Sequence, residues 1–382
     1  MNEMSADERR LVEIAGTLRA SASKPGRAVG ARERTIGLDA LREAAGLGLT
    51  GIQVPRAMGG QGASFGCKVA VTQALAQADF GFAMSLVNTH NVAAKLSLEA
   101  RPEVAGRFVP DLLAGHRLGS TALTELHAGS DFPAIRTRAV RTGDGWQLDG
   151  GKAWITNAAV SDVIVLYAHT GQADRSDDIA AFVVDGRRAG FCRLPAFELA
   201  GQHTIGTGAF ELQAYQAADA EMIQPPGKAF RAALASINGA RVYIAAMCCG
   251  MVERALAIAI EYGAGRSSFG QPLTGHQGWR WMLAEASAEL AAAQALVDRA
   301  TRATDEGRDT RLLAAQAKVF ATGMAVRQLP ALQHALGAHG LRDSLPFGRH
   351  LAGAQVATLV DGSTEMLLDR IASDWGRANG QA

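Results

Sequence analysis

The segment Gly151-Lys152-Ala153-Trp154-Ile155-Thr156-Asn157 lies near the middle of the 382-residue chain, where the sequence pattern differs from that on either side. In residues 118–225, glycine and β-branched residues become frequent, and Gly145 to Gly150 alternates apolar and polar side chains. Val163 to His169 and Ile179 to Val184 are apolar runs of strand length. The segment is therefore predicted to belong to a small β domain spanning residues 118–225.

Helical patterns lie on both sides of this β domain. In residues 1–117, the patterns of Leu38 to Ala45, Phe65 to Ala76 and Val104 to Leu113 are typical of helices. In residues 226–382, one apolar stripe recurs every three or four positions and indicates a long helix: Leu283, Ala286, Leu290, Ala293 and Val297. Long helices with short connections favour a bundle. The predicted fold class is mainly α with a middle β domain.

The composition excludes several classes of function. The chain has 38 basic and 37 acidic residues, so charge gives no reason to expect binding to nucleic acid or to an anionic membrane surface. The sequence has no uninterrupted run of about 18 apolar residues, so no membrane span is predicted. The polar segment Met1 to Arg10 is unlike a signal peptide. The four cysteines form no C-x-x-C pair, which favours free thiols and a cytoplasmic location.

Two patterns that suggest other sites are rejected. Gly46 to Gly51 matches G-x-G-x-x-G, but a helical pattern precedes it and an extended piece follows, so a nucleotide-binding turn is not expected. A helix end with a turn is the preferred interpretation. His334 and His339 are five residues apart and do not share a helix face, so no metal site is predicted.

Two segments are suited to a planar ligand. Leu123 to Asp131 combines small residues and hydroxyls, which permit close backbone approach. On a strand, Trp154 and Thr156 would point to the same face, so that an indole could stack on a ring system while a hydroxyl reaches a ring heteroatom. This pairing suits an isoalloxazine. A tryptophan packed in a β core is the alternative.

Two further segments carry charged groups. Arg266 to Leu273 offers, through Arg266, a bidentate fork for a diphosphate, and a solvated loop between helices is the alternative. In Val360 to Glu365, Asp361 precedes a glycine in an apolar setting, where desolvation would make its carboxylate a stronger base. A helix N-cap is the alternative for Asp361.

In this order, the segments resemble the acyl-CoA dehydrogenase family over nearly the whole chain, from Gly46 to Arg370. Gly48-Leu49-Thr50-Gly51-Ile52, with Pro55 and Gly59 to Gly62, resembles the N-terminal loop of that family. The resemblance implies an N-terminal helical domain, a small β-barrel domain and a C-terminal four-helix bundle. It also implies FAD as cofactor and a homotetramer or homodimer.

The resemblance implies roles for individual residues. Those that would contact the flavin and its chain are Leu123, Thr124, Ser130, Trp154 and Thr156. Of these, Trp154 would stack on the flavin, and Thr156 would approach its reactive nitrogen. Those that would reach the FAD of a neighbouring subunit are Arg266, Phe269, Gln277, Gly337 and Gly340. Those that would lie near the diphosphate and adenosine are Ser363 and Glu365.

Asp361 lies where many family members carry a catalytic glutamate, and Arg241 matches an arginine near the acyl-thioester head. Some members carry the base one residue before that arginine, but Ala240 cannot accept a proton. Nitroalkane oxidase, a relative on this fold, resembles this chain in having an aspartate base. Three departures from the family affect details: Gly201 to Gly208 lacks the usual charges that help hold CoA, His334 replaces a glutamine, and Leu126-His127 replaces Pro-Gly.

The resulting prediction is FAD-dependent α,β-dehydrogenation of an acyl thioester, carried either by CoA or by the phosphopantetheine arm of a carrier protein. Asp361 would be the base, and an electron-transfer flavoprotein is one expected electron acceptor. Three alternatives remain open: a flavin oxidase of the nitroalkane-oxidase type, a flavin monooxygenase on the same fold, and a non-catalytic member that binds a partner or ligand.

Overall fold

A computed structural model describes residues 4–22, 38–171 and 175–378 of the chain. Its N-terminal part contains five helices, namely α1 (Ala6–Ala22), α2 (Leu38–Gly46), α3 (Phe65–Ala76), α4 (Phe80–Glu99) and α5 (Pro102–Leu113). Ser64 caps α3 by accepting from Cys67 N–H at 3.1 Å, and Asp79 caps α4 by accepting from Phe82 N–H at 2.9 Å. These local signals fix where both helices begin.

The glycine-rich stretch after α2 is a helix end, as its sequence context predicts. Gly48 has a φ of 82°, and Leu49 N–H donates to Ala44 O at 3.0 Å, which closes the last turn. The nucleotide-loop interpretation is thereby excluded, because the element directly before the glycines is helix α2 and not a strand.

The middle of the chain forms one sheet of eight strands, which are β1 (Gly119–Ala122), β2 (Arg138–Thr142), β3 (Gly145–Ile155), β4 (Val163–His169), β5 (Ile179–Asp185), β6 (Phe191–Arg193), β7 (Gly208–Ala218) and β8 (Met222–Gln224). The order is β6-β7-β3-β2-β4-β5-β8, with β1 beside β4. The prediction of a middle β domain is confirmed. Among the described strand pairs, β6 and β8 lie at the two ends of the sheet and do not pair with each other.

Strand β4 is apolar up to Ala168, and both of its faces are buried. Val163 and Val165 pack in a core shared with α4 and α5, whereas Ile164 and Leu166 pack inside the β domain. A strand buried on both faces has no polar alternation, which explains its sequence.

The C-terminal part is helical, with α6 (Ala229–Gly265), α7 (Gln277–Asp305), α8 (Arg311–Ala335), α9 (Phe347–Leu359) and α10 (Thr364–Ala378); a short hairpin of β9 (Ser267–Ser268) and β10 (Gln271–Pro272) follows α6. The stripe predicted on α7 is buried along its length. Helix α6 is long and apolar enough to cross a membrane, but 78% of its apolar window is buried inside the protein. Helices α3, α7, α8 and α9 cover it.

Helix α3 approaches α6 closely at a glycine. A Cβ atom at Gly250 would lie 2.2 Å from the carbonyl oxygen of Gln73, so only glycine permits this contact. The contact ties the N-terminal helices to the bundle and brings side chains of α3, α4 and α6 together.

Candidate active site

Asp361 lies in the short turn between α9 and α10, where its φ is 53°. A residue other than glycine rarely adopts this conformation, so surrounding contacts must hold the turn. Lys318 of α8 donates to the carbonyl oxygens of Val360 and Gly362, the latter at 2.6 Å. Arg241 Nε donates to the carbonyl oxygen of Asp361 at 2.9 Å. Two buried cations therefore fix three consecutive carbonyl groups.

The surroundings of Asp361 act on its acidity in opposite directions. Burial, the largest influence, raises the pKa of the Asp361 carboxyl, while Lys318 and Arg241 lower it, and the net shift is upward. Burial lowers the pKa of Lys318 to about 8 and that of Arg241 to about 10. A carboxylate with a raised pKa is a stronger base than free aspartate.

The structure brings Arg241 and Asp361, which are far apart in sequence, into direct contact. Arg241 also donates to Asn238 Oδ1 at 2.8 Å, so its guanidinium is engaged within the chain on two sides. This arrangement makes Arg241 a support of the Asp361 turn as well as a candidate contact for a ligand.

Ser363 and Glu365 lie where α10 begins. Met366 N–H points to Ser363 Oγ at 3.5 Å, the contact of an N-cap, so Ser363 rather than Asp361 has the capping position. Glu365 is exposed, and its pKa is lowered by its own backbone N–H and by Ser363. The positive end of a helix dipole at such an N-terminus suits a diphosphate.

Trp154 lies at a bulge near the end of β3 and has a φ of 61°. The prediction that Trp154 and Thr156 share a strand face is wrong, because the strand ends at Ile155 and the bulge interrupts the alternation. The indole is still 54% exposed and packs against the Phe197 ring, with 4.5 Å between centroids. Its exposed part, beside the half-buried Thr156, can stack on a planar heterocycle.

A buried ion pair holds the segment containing Leu123 and Thr124 beside the end of β3. Lys152 Nζ donates to Leu123 O at 2.9 Å and to Glu125 Oε1 at 2.8 Å. The backbone N–H of Ala153 donates to Thr124 O at 3.1 Å. Burial acts to raise the pKa of Glu125, but Lys152 and hydrogen bonds outweigh it and the pKa is lowered. Leu123 and Thr124 are thus bonded to the two residues that precede Trp154, while Ser130 is exposed in the same loop.

Asn157 ties the turn after β3 to the N-terminal helices. It is fully buried with a φ of 65°, and its Nδ2 donates to Ser85 O and to Gly119 O, both at 3.0 Å. Its backbone N–H donates to Ile205 O at 2.9 Å. The position of the indole is therefore set by α4, β1 and the following loop together.

Arg266, Phe269 and Gln277 lie around the β9–β10 hairpin. The two turn residues, Phe269 and Gly270, have φ values of 48° and 81°, as in a type I′ turn. This turn leaves the Phe269 ring 96% exposed, and Arg266 and Gln277 are exposed as well. An exposed ring next to an exposed guanidinium suits contact with a group outside this chain.

Gly337 and Gly340 belong to a short helical turn at the same end of the bundle. In this turn His339 stacks on Tyr262, one helical turn before Arg266, with 4.9 Å between ring centroids. Within residues 4–22, 38–171 and 175–378, no group of three His, Cys, Asp or Glu side chains could hold a metal ion.

The loop Gly201 to Gly208 uses its polar groups within the protein. Thr204 Oγ1 donates to Asp79 Oδ1 at 3.0 Å, and Gln202 lies at hydrogen-bonding distance of the Arg349 carbonyl oxygen. Gln202 and Thr204 are buried, and His203 is half-buried. The loop is thus anchored to the beginning of α4 and to α9.

Sequence reasoning missed the residues that position this site. They are Glu125, Lys152, Asn157 and Lys318. Lys318 had a detectable signal, since it lies among buried alanines of α8 at a position where the helical pattern is apolar. The partners of the other three are too distant in sequence to be inferred from spacing.

Comparisons with known proteins agree with this fold. Acyl-CoA dehydrogenase N-terminal, middle and C-terminal domain families match residues 5–116, 120–215 and 227–375. A short-chain-specific acyl-CoA dehydrogenase of Megasphaera elsdenii is 31% identical over 84% of this chain and 85% of its own length. A glutaryl-CoA dehydrogenase of Desulfococcus multivorans is 31% identical over 88% and 87%.

The structure of butyryl-CoA dehydrogenase from Megasphaera elsdenii is similar, with a TM-score of 0.92 and 26% identity over 98% of this chain and 99% of that one. The fold and these relatives identify an FAD-dependent oxidoreductase that acts on acyl thioesters. The chain belongs to the acyl-CoA dehydrogenase family.

Proposed function

We propose that this protein dehydrogenates an acyl-CoA between its α and β carbons, with Asp361 as the base that removes the α proton. The observation that carries the proposal is the Asp361 turn, where two cations fix the backbone while burial raises the pKa of the carboxyl. When bound, FAD supplies the acceptor for the β hydrogen, which leaves as hydride.

The described residues fit FAD. The exposed Trp154 provides a stacking surface, and the positive end of the α10 helix dipole suits a diphosphate. We propose that Leu123, Thr124, Ser130, Thr156, Ser363 and Glu365 complete the site in one subunit. Arg266, Phe269, Gln277, Gly337 and Gly340 would contact the FAD of a neighbouring subunit.

The related enzymes named for short-chain acyl-CoA and glutaryl-CoA support a CoA thioester as substrate. A carrier-protein thioester is the other proposed carrier, because Gln202 and Thr204 are buried and engaged within the chain instead of facing a ligand. An electron-transfer flavoprotein is the proposed electron acceptor.

We also propose domain limits at 1–117, 118–225 and 226–382, assembly as a homotetramer or homodimer, and a cytoplasmic location. The exposed Phe269, Trp281 and Leu341 support a neighbouring subunit in contact with the bundle. The four cysteines are free in the structure, which supports a reducing compartment.

The decisive experiment is anaerobic mixing of the FAD-loaded protein with a panel of acyl-CoA thioesters while the visible spectrum is recorded. Bleaching of the oxidised flavin band supports the proposal. Bleaching by a nitroalkane instead, with oxygen consumption and peroxide formation in air, would transfer the protein to the oxidase alternative.

Lys318→Met should move the pH profile of flavin reduction to higher pH. Lys318 lowers the pKa of Asp361, so its removal raises that pKa further and a higher pH is needed to deprotonate the base. Loss of donors to two carbonyl groups should also lower the free energy of unfolding by about 1.5–3 kcal/mol. Stopped-flow flavin reduction against pH measures the first effect. The exposed Arg327→Met on α8 is the control, and an unshifted profile would refute the coupling.

Arg266→Ala should weaken FAD retention by roughly 10- to 100-fold, since it removes a charged hydrogen-bond donor proposed to bind the diphosphate. Equilibrium titration of apoprotein with FAD measures the change. Arg308→Ala, at the far end of α7 in an exposed pair with Glu306, should leave FAD affinity unchanged. Equal affinities of the two variants would remove Arg266 from the site.

A further inference from the structure

Lys68, on α3, is a buried cation without a matching anion. It is 7% exposed, and its Nζ donates to Asn91 Oδ1 at 3.1 Å. The same nitrogen lies 5.2 Å from the centroid of the Phe65 ring and 5.3 Å from that of Tyr243. In the part of the chain that the structure describes, no carboxylate forms an ion pair with it within 4.0 Å.

Among the described residues, the Lys68 ammonium has too few hydrogen-bond acceptors and no carboxylate paired with it. An ammonium has three N–H donors, and one amide oxygen with two aromatic faces satisfies them only in part. Burial accordingly lowers the pKa of Lys68 to about 7. His90 on α4 stays neutral, because burial and then the charge of Lys68 lower its pKa to about 3, so it adds no charge beside the ammonium. An incoming carboxylate would restore the charged form.

The amide of Asn91 connects Lys68 to the Asp361 side of the protein. Asn91 Nδ2 donates to Tyr243 OH at 3.2 Å, and Tyr243 follows Arg241 by two residues on α6. Burial, followed by the charge of Asp361, raises the pKa of Tyr243, so the two groups lie within electrostatic reach. Asn91 is only half-buried, although Val92 and Ala93 beside it are fully buried. The three polar side chains thus form one hydrogen-bonded group among α3, α4 and α6, and Asn91 is the most accessible of them.

We propose that Lys68, with Asn91 and Tyr243, binds a carboxylate at the distal end of the acyl chain, so that the substrate is a short acyl thioester ending in a carboxylate. This inference rests on the proposed function, which places the α carbon of the acyl group at Asp361. From there the chain extends past Tyr243, and its terminal carboxylate pairs with the Lys68 ammonium. Because that ammonium has no counter-charge of its own, the ion pair is gained only with an anionic acyl group.

The test compares thioesters of equal carbon number that differ only in the terminal group: succinyl- with butyryl-CoA, glutaryl- with pentanoyl-CoA, and adipyl- with hexanoyl-CoA. Binding to the FAD-loaded protein is titrated anaerobically, and flavin reduction is recorded separately in the same mixtures. In at least one pair the dicarboxylic thioester should bind roughly 10- to 100-fold more tightly, as expected for a buried hydrogen bond to a charged group.

Lys68→Met should abolish this preference without weakening the monocarboxylic thioesters. The variant should fold, because an apolar side chain of similar volume replaces an unpaired buried cation. Lys68→Arg should keep part of the preference, and the exposed Lys228→Met should keep all of it. If no pair is discriminated, or if Lys68→Met retains the preference, the inference is overturned.

The two readouts separate this inference from the proposed function. A dicarboxylic thioester that binds through Lys68 but never reduces the flavin supports the inference and contradicts the dehydrogenase reaction. Flavin reduction by monocarboxylic thioesters, with no tighter binding of their dicarboxylic partners, supports the reaction and overturns the inference. Binding of neither class overturns the inference as well.

Discussion

The Asp361→Asn variant is expected to retain FAD. Reduction of its flavin by acyl-CoA should be roughly 10²- to 10⁴-fold slower, the usual contribution of a positioned general base. Asparagine keeps the size of the side chain but cannot accept the α proton. Lys318 and Arg241 bind backbone carbonyl groups around residue 361, so the turn itself should survive the change. Stopped-flow flavin reduction measures the rate, and the visible spectrum measures FAD content.

The pH dependence of the unmodified protein gives an independent check. Because the base acts when deprotonated, flavin reduction should decrease as the pH falls through the pKa of Asp361, which lies above the ordinary value for aspartate. The exposed Asp369→Asn on α10 is the matched control and should behave like the unmodified protein. Full activity of Asp361→Asn with bound FAD would exclude Asp361 as the base.

Lys152→Met is expected to lower the free energy of unfolding by about 3–5 kcal/mol, because it leaves the Glu125 carboxylate buried without its partner. The side chains of Lys152 and Glu125 are 0% and 4% exposed, so water cannot replace the lost contact. The variant should also lose FAD affinity, since Leu123 and Thr124 are held through Lys152 and its neighbour. Urea unfolding of the apoprotein measures the stability.

Glu125→Gln combined with Lys152→Met should recover part of the lost stability, because the uncompensated charge is removed while the amide oxygen of the glutamine can still accept from Thr137 N–H. A surface control is Arg187→Met, which breaks a half-exposed ion pair with Asp162. Its loss in free energy of unfolding should be much smaller than that of Lys152→Met. Equal losses in free energy of unfolding for Lys152→Met and Arg187→Met would show that the buried ion pair stabilises the fold no more than the surface pair does.

Local periodicity explains which elements could be predicted from the sequence. The limits of α3 and β4 agree with the predicted segments, and the α7 stripe from Leu283 to Val297 is buried. Periodicity succeeds in these elements because each buries a face, or both faces, along its whole length. It failed at Trp154, where a bulge and a positive φ replaced the regular strand on which the argument depended.

The family, the helix–strand–helix order and the choice of Asp361 as the candidate base follow from residue types in a linear order. How that carboxyl is held and charged depends instead on contacts made in three dimensions. Lys318 reaches the turn from about 40 residues away and Arg241 from 120 residues away. Lys68 similarly lies near Tyr243 only because α3 packs on α6. Burial and electrostatic interactions act through space, so their effects on pKa cannot be derived from the order of residues alone.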